Sequence, residues 1–252
     1  MNKRFLLAAL LFLFTGTMFA QDRKQDDGSI HRVSIGLNLG AVTPTSLPNT
    51  IRRIDAYNPL LCPSIGYSAL FAAKQHWWIG TGLLLDYKGM WVKDSVAYFH
   101  TMIQGNNGSV SGFEGSFTGT NTTTVRNVYL TLPLYAQWTP GKNWSFQIGG
   151  YFAFLLRPKF EGHVSNGYIR NGGPLGEKVI VDYAEFDFSN KIRRYDYGLH
   201  AGIEKSLSSK WSASIHWQWG LCRLFPASFS GVDVPLKNMY VNVSLSYRLP
   251  RL

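Results

Sequence analysis

Residues 211–222, WSASIHWQWGLC, alternate apolar and polar side chains along their whole length. Successive side chains of a β-strand point to opposite faces, so this pattern gives one aromatic and aliphatic face and one small or polar face. A tilted strand needs roughly 9–11 residues to cross a bilayer, slightly fewer than this segment has. The segment therefore predicts a strand that faces an apolar medium on one side only.

Seven other segments repeat the alternation, which gives eight predicted strands: 31–42, 61–73, 77–92, 124–138, 143–157, 191–206, 211–223 and 238–249. Their connections are alternately short (73–76, 139–142, 207–210) and long (43–60, 93–123, 158–190, 224–237). Outer-membrane barrels combine short periplasmic turns with longer extracellular loops. The predicted fold is all-β, an eight-stranded antiparallel up-and-down transmembrane β-barrel with both chain ends in the periplasm. Apolar islands at 111–117 and 179–183 would allow hairpins to continue above the membrane.

The first residues predict export. Lys3 and Arg4 precede an apolar run at 5–14 and small residues up to Ala20, which is the pattern of a secretory signal peptide over 1–20. We expect a short periplasmic lead at 21–30 and the barrel at 31–252. No later apolar run approaches the 18 residues of a spanning helix, and charged residues are only 16% of the chain. A secreted soluble β-sandwich or lipocalin-type barrel is the alternative.

Aromatic residues occupy the outward face near both ends of the predicted strands, as expected for residues at membrane interfaces. The belt beside the periplasmic turns consists of Trp77, Trp138, Trp144, Trp211 and Tyr247, and the opposite belt consists of Trp91, Tyr195 and Trp219. Two such belts favour a membrane barrel over a lipocalin.

Four segments resemble strands of the PorT-like outer-membrane β-barrel family common in Bacteroidota: LLLDYKG at 83–89, YLTLPL at 129–134, YGLHAG at 197–202, and residues 241–247. The resemblance covers nearly the whole mature chain. It implies an outer-membrane barrel of a Gram-negative bacterium, and the named member of that family is associated with protein secretion and gliding. Family members often end on an aromatic residue, whereas here Tyr247 is followed by five more residues.

The inward face carries polar and charged side chains, and an eight-stranded barrel has an interior that side chains can nearly fill. The predicted lumen cluster consists of Asp86, Lys88, Asp196, His200, Glu204, His216 and Arg248. Opposite charges in a tight lumen should pair. The cluster is therefore interpreted as a structural plug rather than an open pore, with a small-ligand or proton site as the alternative.

Residues that pair across predicted strands six and seven share a face when their numbers sum to an even value. A sum of 416 would set His200 opposite His216, and Glu204 opposite Ser212. Two imidazoles could bind a metal, but zinc needs three or four ligands and no third is evident, so no metal or cofactor is expected. Ser214, His216 and Glu204 invite comparison with a lipid hydrolase. Their face is the lumen, away from lipid, so no catalytic role is expected.

Cys62 and Cys222 are both predicted to face the lumen near the outer rim, as two separate thiols. They lie three strands apart, too far for a disulfide.

The formal net charge is +10. Basic residues gather at the predicted outer strand ends: Arg126, Arg157, Lys159, Arg193, Arg194, Arg223 and Lys237. They are interpreted either as a solvated rim or as contacts to lipopolysaccharide phosphates. An exported chain without a recognition motif is a poor candidate for nucleic-acid binding. The expected function is that of a monomeric barrel with a structural or assembly role through its loops, for example in an envelope or secretion complex. A narrow solute conduit or a ligand-binding barrel is the alternative.

Overall fold

The computed structural model describes residues 28–44, 48–103, 113–141, 143–171, 175–232 and 234–250. The predicted signal peptide and most of the lead lie outside the described residues. The strands are β1 (Ile30–Pro44), β2 (Ile51–Asn58), β3 (Pro63–Lys74), β4 (Trp77–Ile103), β5 (Phe113–Trp138), β6 (Trp144–Arg157), β7 (Phe160–Asn171), β8 (Lys178–Asp187), β9 (Tyr195–Ser206), β10 (Trp211–Gly220) and β11 (Leu236–Arg248). A 3-10 turn spans Ser189–Lys191. In this part of the chain, no helix is long and apolar enough to cross a membrane.

All strands belong to one antiparallel sheet. Its order is β2-β4-β3-β1-β11-β10-β9-β6-β5-β7-β8, and an additional pairing joins β4 to β5. That pairing closes a ring through β4, β3, β1, β11, β10, β9, β6 and β5. The described residues thus form eleven strands rather than the eight predicted, and β2, β7 and β8 lie outside the ring.

The segments predicted as long loops are largely strands. β4 has 27 residues and β5 has 26, so their hairpin continues through most of 93–123, while β2 lies within 43–60 and β7 and β8 within 158–190. Threonine explains part of the difference between the predicted loops and the observed strands, because the threonines at 122–124 are polar but β-branched and favour strands. In the same stretch Val96, Phe117 and Val125 are buried.

The barrel wall reverses the burial pattern of a soluble protein. Its outward side chains are exposed aliphatic residues such as Leu37, Ile148 and Val243, whereas inward side chains such as Asn38, Asp86 and Gln147 are buried. Exposed apolar area of this extent requires an apolar surrounding.

Strands β2, β7 and β8, together with residues 92–103 of β4 and 113–125 of β5, project from one end of the ring; we call this part the crown. The other end, with the short connections after β3, β5 and β9, is called the turn end. The crown contains an apolar core that includes Phe117, Val164 and Phe186 and continues into the ring at Tyr129 and Tyr151. A strand of 27 residues spans about 90 Å, far beyond what a bilayer crossing needs.

Backbone irregularities in three neighbouring strands of the crown, β4, β5 and β7, lie at the same height. The β4–β5 register shifts between Val96 and Phe99, the β5–β7 register shifts between Thr118 and Thr120, and Asn166 of β7 has a φ of 51°. Glycine is needed at position 119, because a Cβ there would lie 2.6 Å from the Phe117 ring. Bulges bend strands and increase their twist, so these irregularities curl the crown around its core.

Candidate functional site

The middle of the lumen holds a lysine surrounded by tyrosines. Lys88 Nζ lies 5.4 Å from the ring centroid of Tyr129, 4.9 Å from that of Tyr151 and 5.8 Å from that of Tyr240. These residues come from β4, β5, β6 and β11, and all four are buried. Nζ has no hydrogen-bond partner among the described residues. Cation–π attraction is strongest when water is excluded, so this cage suits a desolvated ammonium group.

Two carboxylates and an amide network surround the cage. Tyr151 Oη donates to Asp196 Oδ2 at 3.0 Å, and Asn238 Nδ2 donates to the same oxygen at 2.9 Å. Asn38 Nδ2 donates to Asp86 Oδ1 at 3.2 Å. Asn238 Nδ2 also donates to Tyr129 Oη at 3.4 Å, which joins β11 to β5 on the opposite side of the ring, so side chains cross the lumen at this level.

Nearer the turn end, an ion pair crosses the lumen. Arg32 Nη1 donates to both oxygens of Glu204, at 2.7 and 2.6 Å, and both side chains are largely buried. The sequence-based cluster assigned Arg248 to the lumen, whereas its side chain is exposed. Arg248 pairs with Arg32 in the β1–β11 register, but it lies at the last residue of β11, where the wall ends and water reaches it.

The two histidines approach each other with a different register from the one predicted. His216 pairs with Gly202, and His200 pairs with Gln218, two residues away from the predicted alignment. In the turn that joins the two strands, Ser208 Oγ accepts hydrogen bonds from the amides of Lys210 and Trp211. The ring centroids are still 5.0 Å apart. Within the described ranges, no group of three or more His, Cys, Asp or Glu side chains could hold a metal ion.

Two of the three residues compared with a hydrolase triad are bonded to other side chains. Ser214 Oγ lies 2.8 Å from Ser244 Oγ, Glu204 is held by Arg32, and His216 Nε2 has no hydrogen-bond partner among the described residues. The described geometry therefore does not join these three side chains into a nucleophilic relay.

The aromatic residues of the predicted belts meet in register at the turn end. Trp77 pairs with Trp138, and their rings lie 6.3 Å apart; Trp211 pairs with Tyr247 at 4.9 Å. Lys205 Nζ lies 5.3 Å from the Trp144 ring centroid. Of the other belt, Tyr195 is exposed, while Trp91 and Trp219 are half-buried.

Cys62 and Cys222 are both buried and both carry free thiols. Cys62 Sγ donates to Gly89 O at 3.7 Å.

A second site lies in the crown, where a cavity of about 170 Å³ has predominantly apolar walls. Its main polar group is Asp94, which is buried, accepts a hydrogen bond from Asn121 Nδ2 at 3.0 Å and lies near Asp55. Burial raises the pKa of Asp94 to about 6, the Asn121 hydrogen bond opposes the rise, and the Asp55 charge adds to it. Asp94 and Asn121 fall in the segment predicted as a loop, so they were not candidates from the sequence.

Asp94 is expected to make stability depend on pH. A carboxyl group with a raised pKa contributes stability below its unfolded value of 3.8 and loses it as pH rises through about 6. A change of this size corresponds to about 3 kcal/mol. Asp94→Asn keeps an acceptor for Asn121 without the charge, so the variant should exceed the wild type in free energy of unfolding at pH 7.5 but not at pH 3.5.

Urea titrations in lipid vesicles at the two pH values measure this difference. Asp182→Asn, which changes an exposed crown carboxylate, serves as the control and should alter neither value appreciably. An equal effect of Asp94→Asn at both pH values would contradict the assignment.

The inverted wall, the closed ring of antiparallel strands and the polar lumen define an integral outer-membrane β-barrel protein. A family model described as "Outer membrane protein beta-barrel domain" matches residues 19–225. The chain belongs to this family. None of the curated proteins matches the sequence.

The solved structures to which this chain is similar include two bacterial proteins. One is Ail, the attachment invasion locus protein of Yersinia pestis, in complex with the heparin analogue sucrose octasulfate. The two sequences are 10% identical, the TM-score is 0.38, and the alignment covers 88% of this chain and 99% of that chain. Another is outer membrane protein W of E. coli, with 12% identity, a TM-score of 0.37, and coverage of 89% and 100%.

Proposed function

We propose that this outer-membrane barrel is a monomer with a closed lumen and no catalytic role, and that it acts through its crown as a structural or assembly component of the envelope. The observation that carries the proposal is the contrast between the two halves of the molecule. The lumen is crossed by buried side chains, whereas the crown is a folded extension of the wall that projects beyond the ring.

The crown offers a surface suited to protein contacts. Leu175 is 99% exposed and Ile180 is 65% exposed, and Tyr98 and Tyr183 are also exposed. Exposed aromatic and aliphatic residues among polar ones are characteristic of interaction sites. The proposed partners are envelope or secretion-complex proteins, as the resemblance to PorT-like barrels implies.

The orientation proposed places the turn end and both chain ends in the periplasm, with the crown outside the cell. Support comes from the chain ends themselves, because Leu249 N donates to His31 O and Arg248 N donates to Lys210 O at the turn end. Short turns on the periplasmic side are the rule in bacterial outer-membrane barrels.

Lipid contacts form a second part of the proposal. Arg126, Arg157 and Arg194 are exposed where the wall meets the crown, and Arg193 Nη1 donates to Tyr195 Oη at 2.8 Å. Guanidinium groups at this height suit the phosphates of lipopolysaccharide. The Trp and Tyr belts would lie at the two interfaces.

Site-specific photocrosslinking in intact cells tests the crown as the interaction surface. A photoreactive residue at position 175 or 180 is expected to give protein adducts. The same residue at Ile148, which is 69% exposed on the barrel wall, should give none. Absence of protein adducts at both crown positions, with the folded barrel present, would overturn the proposed role.

A narrow conduit for small solutes is the second candidate. It is favoured by one observation: Lys88 Nζ, Asp86 Oδ2 and Asp196 Oδ1 are buried without hydrogen-bond partners among the described residues. Water or a small ion could satisfy these atoms. Electrical recording separates this candidate from the closed barrel.

A further inference from the structure

The crown cavity is lined by the crown end of the ring and by the crown itself. Its walls come from the ends of β1 and β11, from β2, β4, β5, β7 and β8, and from the segment before β11. Met90, Val92, Phe186 and Val232 are among the apolar lining residues. Folded proteins have few voids larger than a water molecule, so a cavity of about 170 Å³ is a distinct feature of this core.

Apolar walls disfavour water. An enclosed apolar cavity of about this volume in another protein binds benzene or xenon; the crown cavity is partly open, and its lining is mostly apolar. The cavity in the crown therefore suits a small apolar molecule of one or two rings. Its position between β2 and β8, the two terminal strands of the sheet order, places it within the projecting part of the protein.

A carboxylate distinguishes this cavity from a simple packing gap. Asp94 is buried in its wall, and the hydrogen bond from Asn121 Nδ2 to Oδ1 is the only one to its side chain within the described residues. Asn121 Nδ2 also contacts Thr123 Oγ1 at 3.2 Å, so the amide is shared. A carboxylate held by one shared donor can accept another hydrogen bond.

We infer that the crown cavity is a binding site for a small aromatic or aliphatic molecule that carries one hydrogen-bond donor, with the apolar body against Val92 and Phe186 and the donor on Asp94. Burial strengthens such a charge-assisted hydrogen bond and makes an unmatched ligand unfavourable. This inference goes beyond the proposed envelope role and does not depend on it.

Two probes of nearly equal shape test the inference. 6-Fluoroindole carries an N–H donor, and 6-fluorobenzofuran has an oxygen in its place. ¹⁹F NMR titrations use the full-length mature protein in lipid nanodiscs at pH 7.5, with empty nanodiscs to subtract partitioning into lipid. The indole is expected to bind saturably, and at least ten times more tightly than the benzofuran.

Variants locate the probe. Val92→Trp should fill the cavity and abolish saturable binding of the indole, whereas Ile180→Trp, on an exposed position of β8, should leave it unchanged. Asp94→Leu should remove the preference for the indole. Heat-modifiable migration in SDS gels verifies that each variant is folded.

The wild-type comparison decides the inference even if a variant does not fold. Equal affinity for the two probes would overturn the role of Asp94, and lack of saturable indole binding would overturn the site. Indole binding that persists in folded Val92→Trp would place the probe elsewhere and equally overturn it. Because no partner protein is involved, failure here leaves the crosslinking result on the envelope role unaffected.

Discussion

Replacing Lys88 with methionine is expected to destabilise the folded barrel by about 3–5 kcal/mol, because removing one member of a buried charge cluster leaves the others uncompensated. Methionine has nearly the same length and can still contact the rings of Tyr129 and Tyr151. The loss of stability would therefore reflect the missing positive charge rather than a change in side-chain volume. Urea unfolding in lipid vesicles, followed by tryptophan fluorescence, measures the effect.

A control variant and a rescue variant distinguish the effect of the lost charge from a general folding defect. Lys93→Met changes an exposed lysine of the same strand and should cost less than about 0.5 kcal/mol. Adding Asp86→Asn and Asp196→Asn to Lys88→Met should recover much of the lost stability, since the carboxylates then no longer need a cation. A Lys88→Met protein as stable as the wild type would show that the cage does not support the fold.

The Arg32–Glu204 pair should give the second large effect. Glu204→Leu leaves a buried guanidinium without its bidentate partner, and we expect the free energy of unfolding to fall by about 3 kcal/mol. Arg32→Met combined with Glu204→Leu should be closer to the wild type than Glu204→Leu alone. A double-mutant cycle measures the coupling energy directly.

The crown supplies a matched comparison for this cycle. Lys159 Nζ and Glu161 Oε1 lie 2.8 Å apart, but both side chains are more than 40% exposed. Solvent screening limits such pairs to about 0–1 kcal/mol. Equal coupling energies for the two pairs would contradict the view that burial in the lumen makes the Arg32–Glu204 pair strong.

Alternation along the strands could predict much of the wall and lumen. The period of two places Asp86, Lys88, Asp196 and Glu204 inward, and all four are buried. The same parity applies to Arg32, which shares a face with Ser34 and Asn38; the candidate list omitted it although the signal was present. Arg248 shows the limit of parity, because facing inward at a strand end does not ensure burial.

The crown could be predicted only in part: the apolar islands at 111–117 and 179–183 overlap β5 and β8, but the remainder gave no such pattern. Polar side chains at 118–124 indicate a loop when hydrophobic alternation is the criterion, yet Thr120, Asn121 and Thr122 pair with β4 and β7. Their partners are far away in sequence, and bulges interrupt the period. The Asp94 cavity depends on this long-range pairing, so no local pattern could have revealed it. Likewise, alternation alone cannot distinguish the observed β9–β10 register from the alignment two residues away, because both keep the same side chains facing inward.

Single-channel recording of the full-length mature protein in planar bilayers tests the central claim most directly. The lumen is crossed by the Lys88 cage and the Arg32–Glu204 pair, so the wild type is expected to show no steady conductance steps above those of the bilayer alone. Reproducible, regular steps from the folded wild-type barrel would contradict the closed lumen and favour a conduit.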